Sequence, residues 1–224
     1  PKVNKNVNGH FICDEGRLSY TNEANNRFET PLVNKNETNV DNTITNMFKE
    51  LTTNKNILFV LSANLSIEEM QNVKNLASKL NVDVSGYSPN TFDESFADDY
   101  LRTNDRTANR AAFKELQIDE SKEYFDEKLN KASLVIIVEN SYFENNANLL
   151  ENKKVISLFS HHCMTIGYSN VAIPVASFYE KSGTYINING IKQKVISKMN
   201  KNNPMQSITT VIEDLKSMIE KGTV

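Results

Sequence analysis

The chain has 224 residues and a formal net charge of −3, with acidic and basic residues interspersed, so it carries no electrostatic footprint for nucleic acid. No apolar run approaches the roughly 18–20 residues of a membrane span, and no basic-then-apolar signal segment opens the chain, so membrane contact is expected only through other proteins. Two distant cysteines, Cys13 and Cys163, fit a reducing compartment, which makes cytoplasmic the natural location.

This length can bury one substantial α/β core. Residues 1–36 are polar, Asn-rich and irregular, with Phe28, Pro31 and Leu32 as anchors, and read as an arm that leans on a partner. A helix starts near Asp41 or Asn42, with Ile44, Met47, Phe48 and Leu51 at helical spacing, and the continuous apolar run over 57–61 predicts a central parallel strand. Ser66 and Glu69 form a capping box ahead of the stripe Ile67, Met70, Val73, Leu76, Ala77 and Leu80. A strand is expected over 82–84, a helix near 120–131, and further strands over 134–138, 155–159 and 171–173, the last ended by Pro174.

Glu180, Lys181 and Gly183 mark an exposed turn, after which Tyr185 to Ile188 alternates into the hairpin signal Asn189-Gly190. Pro204 near its first turn, the stripe Ile208, Val211, Ile212, Leu215, Met218 and Ile219, and Gly222 as C-cap define a closing helix. The repeated alternation of strand and helix predicts an α/β fold, a doubly wound, mostly parallel sheet with helices on both faces plus the irregular N-terminal arm. Residues 37–224 read as one domain.

Few residues offer chemistry. His161, His162 and Cys163 are good ligand types, but adjacent residues alternate in direction and His10 is the remaining histidine, so the trio reads as a loop after a strand. Glu180-Lys181 and Asp98-Asp99 read as solvated charge pairs. Asp105, Arg106, Asn109 and Arg110 can form a polar network, open between holding the fold and contacting a partner. Seven glycines and no GxGxxG or GxxxxGK[ST] argue against an ordinary nucleotide-binding enzyme. Cys13 taken alone is a small hydrophobe or an inert thiol.

Three ordered segments carry a resemblance. Residues 171–190, VAIPVASFYEKSGTYINING, are similar to the "LP, aliphatic, EK-x-GT, N-x-G" signature of the molybdopterin-oxidoreductase superfamily. Residues 8–17, NGHFICDEGR, resemble the segment of its iron-sulfur domain that holds the last cysteine ligand, departing from it at His10 and Glu15. Residues 98–116 resemble the "D-D-aliphatic-L, then D-x-x-x-N-R" stretch of the large iron-sulfur subunit of respiratory complex I.

The resemblance implies a fragment of that electron-transfer subunit: residues 1–36 as the tail of a 4Fe-4S domain and 37–224 as a scaffold domain without molybdopterin or catalytic residues. Cys13 would be the fourth cluster ligand of the intact protein. Three more cysteines are needed upstream, so the chain is expected to be excised or processed just before that ligand. Implied partners are other peripheral-arm subunits, which would hold the protein at the inner membrane during NADH-to-quinone electron transfer. Two alternatives stand beside it: a truncated molybdopterin-dependent oxidoreductase related to formate dehydrogenase or nitrate reductase, and a non-redox interaction module.

Overall fold

A computed structural model describes residues 3–197 and 205–222. The arm contains a short helix α1 (Asp14–Leu18) and ends in strands β1 (Leu32–Val33) and β2 (Asn36–Glu37). The main body follows as α2 (Val40–Thr53), β3 (Ile57–Leu61), α3 (Ile67–Leu80), β4 (Asp83–Ser85), α4 (Ala111–Glu115), α5 (Lys122–Lys131), β5 (Leu134–Val138), β6 (Lys154–Phe159), α6 (Met164–Tyr168) and β7 (Val171–Pro174). A hairpin of β8 (Gly183–Ile186) and β9 (Lys192–Val195) and the helix α7 (Ile208–Lys221) complete it.

The seven-stranded sheet runs β2-β1-β7-β6-β5-β3-β4, with β1 and β2 as an antiparallel edge and β3 to β7 mutually parallel. Taken alone, the parallel strands follow the doubly wound order 2-1-3-4-5, which puts the switch point between the carboxyl ends of β3 and β5. Residue alternation shows why both faces are covered. Ile57, Phe59 and Leu61 of β3 and Leu134, Ile136 and Val138 of β5 enter one core, with α2, α3 and α7, while Leu58, Val60, Val135 and Ile137 enter the other, with Phe125 and Leu129 of α5. All ten are buried, as continuous apolar runs in a parallel sheet require.

The helices begin where capping side chains satisfy free N–H groups. Asn39 accepts from Asn42 N at the start of α2, and Ser66 and Glu69 form a reciprocal capping box on α3. Ser207 starts α7 by accepting from Thr210 N, and Gly222 ends it in the left-handed region. Pro204, expected in its first turn, lies outside the described residues. The end of the arm is less irregular than its composition suggests: Phe28 is buried and Leu32-Val33 pairs with Val171-Ala172, so the edge of the main sheet is built from N-terminal residues. The hairpin forms with a five-residue loop around Gly190 rather than a two-residue turn, because the side chain of Asn187 accepts from Asn189 N and Ile191 N.

Replacing Ile136, at the centre of β5 and fully buried, by Ala should cost about 2–5 kcal/mol, the price of a cavity beneath α2 and α3. Urea unfolding with an unchanged m-value checks it.

Candidate functional site

The first turn of α3 follows β3, at the carboxyl end of the sheet, where doubly wound folds place ligands. Here the chain's own residues 180–184 occupy it. Lys181 Nζ donates to Glu69 Oε1 at 2.9 Å, with only 7% and 4% of the two side chains exposed. Thr184 donates to Glu68 twice, from its N–H at 2.8 Å and its hydroxyl at 2.7 Å. Burial pushes the Glu68 carboxyl up, and the Thr184 bonds overcome it, so the net shift is downward. Gly183 lies against Ser66 so closely that an added Cβ would stand 2.3 Å from Ser66 Cβ. Glu180 accepts from Arg27 Nη2 at 2.6 Å.

The expected exposed turn with a solvated Glu180-Lys181 pair is therefore corrected. Each residue of the E-K-x-G-T run fills a place that the fold creates: Arg27 faces Glu180, and the α3 cap faces the rest. Isolated in sequence, a lysine beside a glycine reads as surface, because the carboxylate that buries it lies 112 residues earlier.

Glu139 and Asn140 follow β5 at the switch point. Asn140 is buried and donates to the carbonyls of Leu61 and Tyr87 at 2.9 and 3.1 Å, tying β3 to the segment after β4. Glu139 has φ +53, a conformation costly for a side-chain-bearing residue, and its Oε1 accepts from Ser160 N at 2.7 Å. Burial raises its carboxyl above the usual range, opposed by the nearby Lys181 and by the Ser160 bond. Sequence reading passed over Glu139; its one signal is its position immediately after a buried strand.

Asn109, fully buried, donates to Leu65 O at 2.7 Å and accepts from Ile186 N at 2.6 Å, which fixes the hairpin against the loop after β3. Arg110 pairs with Asp105 at 2.9 Å and with Glu120, while its guanidinium stacks on Phe92. Arg106 departs from that network: it is half exposed, pairing with Glu15 of the arm at 3.0 Å and with Asp93 at 3.8 Å. Asp98 caps its own loop, accepting from the backbone of Leu101, Tyr100 and Arg102, which holds its carboxyl far below the usual range.

Beside these residues runs an open groove of about 930 Å³, lined by Phe11 and Cys13 of the arm, Asn64 after β3, the loop 100–111 and the hairpin tip 186–189. Cys13 caps α1, its Sγ accepting from Gly16 N at 3.3 Å. A four-iron cluster needs four ligands of this kind, and the chain has two cysteines, so its residues do not by themselves make a cluster site. Among the described residues no group of three or more His, Cys, Asp or Glu side chains is placed to hold a metal ion. The trio after β6 diverges: His161 binds Ser160 Oγ and Glu23 O, His162 meets Phe28 edge-on, and burial pushes the Cys163 thiol up to about 11.

No protein-family model matches the chain, and no curated protein does. Among solved structures it is similar to the formyltransferase/hydrolase complex (FhcABCD) from Methylorubrum extorquens in complex with methylofuran, at 10% identity and a TM-score of 0.49, over 87% of this chain and 100% of that one. A likeness this distant carries no activity across. None of these comparisons finds a complex I subunit or a molybdopterin oxidoreductase, and the expected fragment of a complex I large subunit is corrected, together with its quinone, NADH and iron-sulfur roles, its peripheral-arm partners and the truncated molybdopterin-oxidoreductase alternative. The physical reason lies in the motifs: E-K-x-G-T, D-x-x-x-N-R and N-x-G are here a helix-cap clamp, a loop network and a hairpin loop, duties that short polar motifs perform in many folds. Among the described residues no helix is long and apolar enough to cross a membrane.

Lys181→Met, which strands Glu69 in a buried site, should cost about 3–5 kcal/mol in urea unfolding. The double variant Glu69→Gln/Lys181→Met should lose clearly less than the sum of the single changes, and additivity would show that the pair is not coupled.

Proposed function

We propose that the chain is a scaffold domain that binds a partner protein along the groove between its N-terminal arm and the loop 100–111. The observation that carries this reading is the self-occupied ligand position: the first turn of α3 is filled by Lys181, Gly183 and Thr184, so the place where a doubly wound fold takes a small ligand is spent on internal packing. Beside it, the groove presents Phe11, Tyr100 and Ile188 with 67%, 90% and 67% of their surface exposed. Arg102 and Arg106 stack on Phe96, with guanidinium carbons 4.9 and 5.0 Å from the ring centre. Exposed aromatics beside arginines are the composition of protein interfaces, and a contiguous apolar patch marks a binding surface.

The occupant suited to this groove is an extended segment with bulky apolar side chains. Its anchors are apolar rather than ionic, because Arg102 is already paired with Asp98, Arg106 with Glu15 and Arg110 with Asp105. Any association with a membrane would run through that partner. A second reading, a small apolar ligand in the same groove, is favoured by one observation: Phe11, Leu101 and Ile188 line it together.

Peptides selected on the immobilised chain by display, then measured by fluorescence anisotropy, test the proposal. Tyr100→Ser/Ile188→Ser should weaken binding about tenfold or more, and affinity should change little between about 50 and 500 mM salt. Selected peptides that bind the double variant equally well would overturn it. Displacement of bound peptide by small aromatic molecules would favour the second reading.

A further inference from the structure

The β8–β9 hairpin is a two-stranded sheet, so each strand has one side that does not face its partner. On β8 that side is occupied. Thr184 N donates to Glu68 at 2.8 Å and Ile186 N to the Asn109 side chain at 2.6 Å, so these two residues turn their backbone away from β9. Thr184 stands opposite Lys194, and Ile186 opposite Lys192. In an antiparallel ladder, opposite residues exchange both backbone bonds or neither, and the two kinds alternate. The bonded pairs are therefore Gly183 with Val195 and Tyr185 with Gln193, in step with Asn187, whose N–H donates to Ile191 O at 3.1 Å in the loop. Lys192 and Lys194 then direct their N–H and C=O groups outward, along the free side of β9, and Ile196 continues the alternation. Among the described residues nothing pairs with these backbone groups.

The side chains of the same three residues are exposed, Ile196 by 66%, while Gln193 and Val195 between them are half-buried. Lys192 pairs with Glu115 at 2.7 Å, and Lys194 has no ion pair among the described residues. An open edge takes an extended chain, and its charge selects which one. A second copy paired antiparallel about Lys194 would set two ammonium groups side by side, the means by which lysine guards an edge against self-association. A carboxylate at that place is attracted where the second copy is repelled.

We propose that the outer edge of β9 is a strand-addition site for an acidic, extended segment of a partner protein. The segment pairs antiparallel with residues 192–196, the more stable pairing per residue, with its carboxylate opposite Lys194. Two residues nearer its own N-terminus, an apolar side chain covers Ile196. Residues 192–196 do not line the groove, so this surface stands whatever the groove binds.

The probe is a blocked peptide of about seven residues, Thr-Val-Thr-Glu-Thr-Thr-Thr, and the readout is amide hydrogen exchange by NMR on the full chain. At about 1 mM peptide the Lys192 and Lys194 amides should become protected, while those of Gln193 and Val195, already bonded within the hairpin, should change little. Lys194→Glu should weaken binding about fivefold, and a peptide with lysine in place of glutamate should recover it. Methylating the peptide nitrogen of the glutamate, which donates to Lys194 O in this register, should abolish binding. Tyr100→Ser/Ile188→Ser should leave the affinity unchanged, and its loss there would move the peptide to the groove and overturn the edge site. Absence of the selective protection, or indifference to Lys194→Glu or to the methyl group, would also overturn it. A Lys194 amide already protected in the free chain sinks the proposal too: protection that falls on dilution assigns the edge to a second copy, and protection that persists assigns it to the chain itself.

Discussion

The structure turns on one buried ion pair, Lys181 to Glu69, at the point where a helix cap, a sheet end and a hairpin meet. Glu69 does three things with one carboxylate: it completes the α3 capping box through Ser66 N–H, takes the Ser66 hydroxyl, and accepts Lys181. Because these bonds share two oxygens, the cap that starts α3 and the seat of the hairpin cannot be altered separately. Beside the pair, Gly183 lies against Ser66 and Thr184 bonds the neighbouring Glu68, so the segment after Lys181 is seated on the same turn.

From that anchor the rest of the site follows. The hairpin is held on one side by α3 and on the other by Asn109, so its tip stands as a fixed wall beside the loop 100–111. The arm meets the opposite rim at Glu15 and Arg106, an exposed pair that contributes little to stability, and Phe11 and Cys13 of the arm line the groove. Groove and clamp thus differ in character. The centre of the clamp is a buried ion pair, whereas the groove is open and edged by Arg102, Arg106 and Arg110, each already paired with a carboxylate. This contrast is what favours a docking surface over a closed catalytic crevice.

Much of the fold was legible in the residues because local rules act over a few positions. The strands over 57–61 and 134–138 are continuous apolar runs, and the structure places both within the sheet with those same bounds. Ser66 with Glu69 announces α3 through side chains that reach only one turn, whereas the Ser207 cap of α7 went unread beside Pro204. The doubly wound, mostly parallel sheet followed from the spacing of such runs, since parallel neighbours need helical crossovers. Less legible were the bounds of β4, one residue later than expected, and the joining of Leu32-Val33 to β7, an antiparallel edge whose partner lies far along the chain.

The sequence by itself determined the five parallel strands, the long helices around them and their order, because periodicity and capping are short-range. Tertiary structure decided the meaning of the polar residues. Lys181 and Glu180 look solvated until Glu69 and Arg27 arrive from distant segments, and Glu139 looks ordinary until the backbone of Ser160, just beyond β6, bonds its carboxylate. Charge is long-ranged and its cost depends on what surrounds it, so the same letters that read as an exposed turn, or as the signature of a redox family, become in the folded chain a buried clamp beside an open groove.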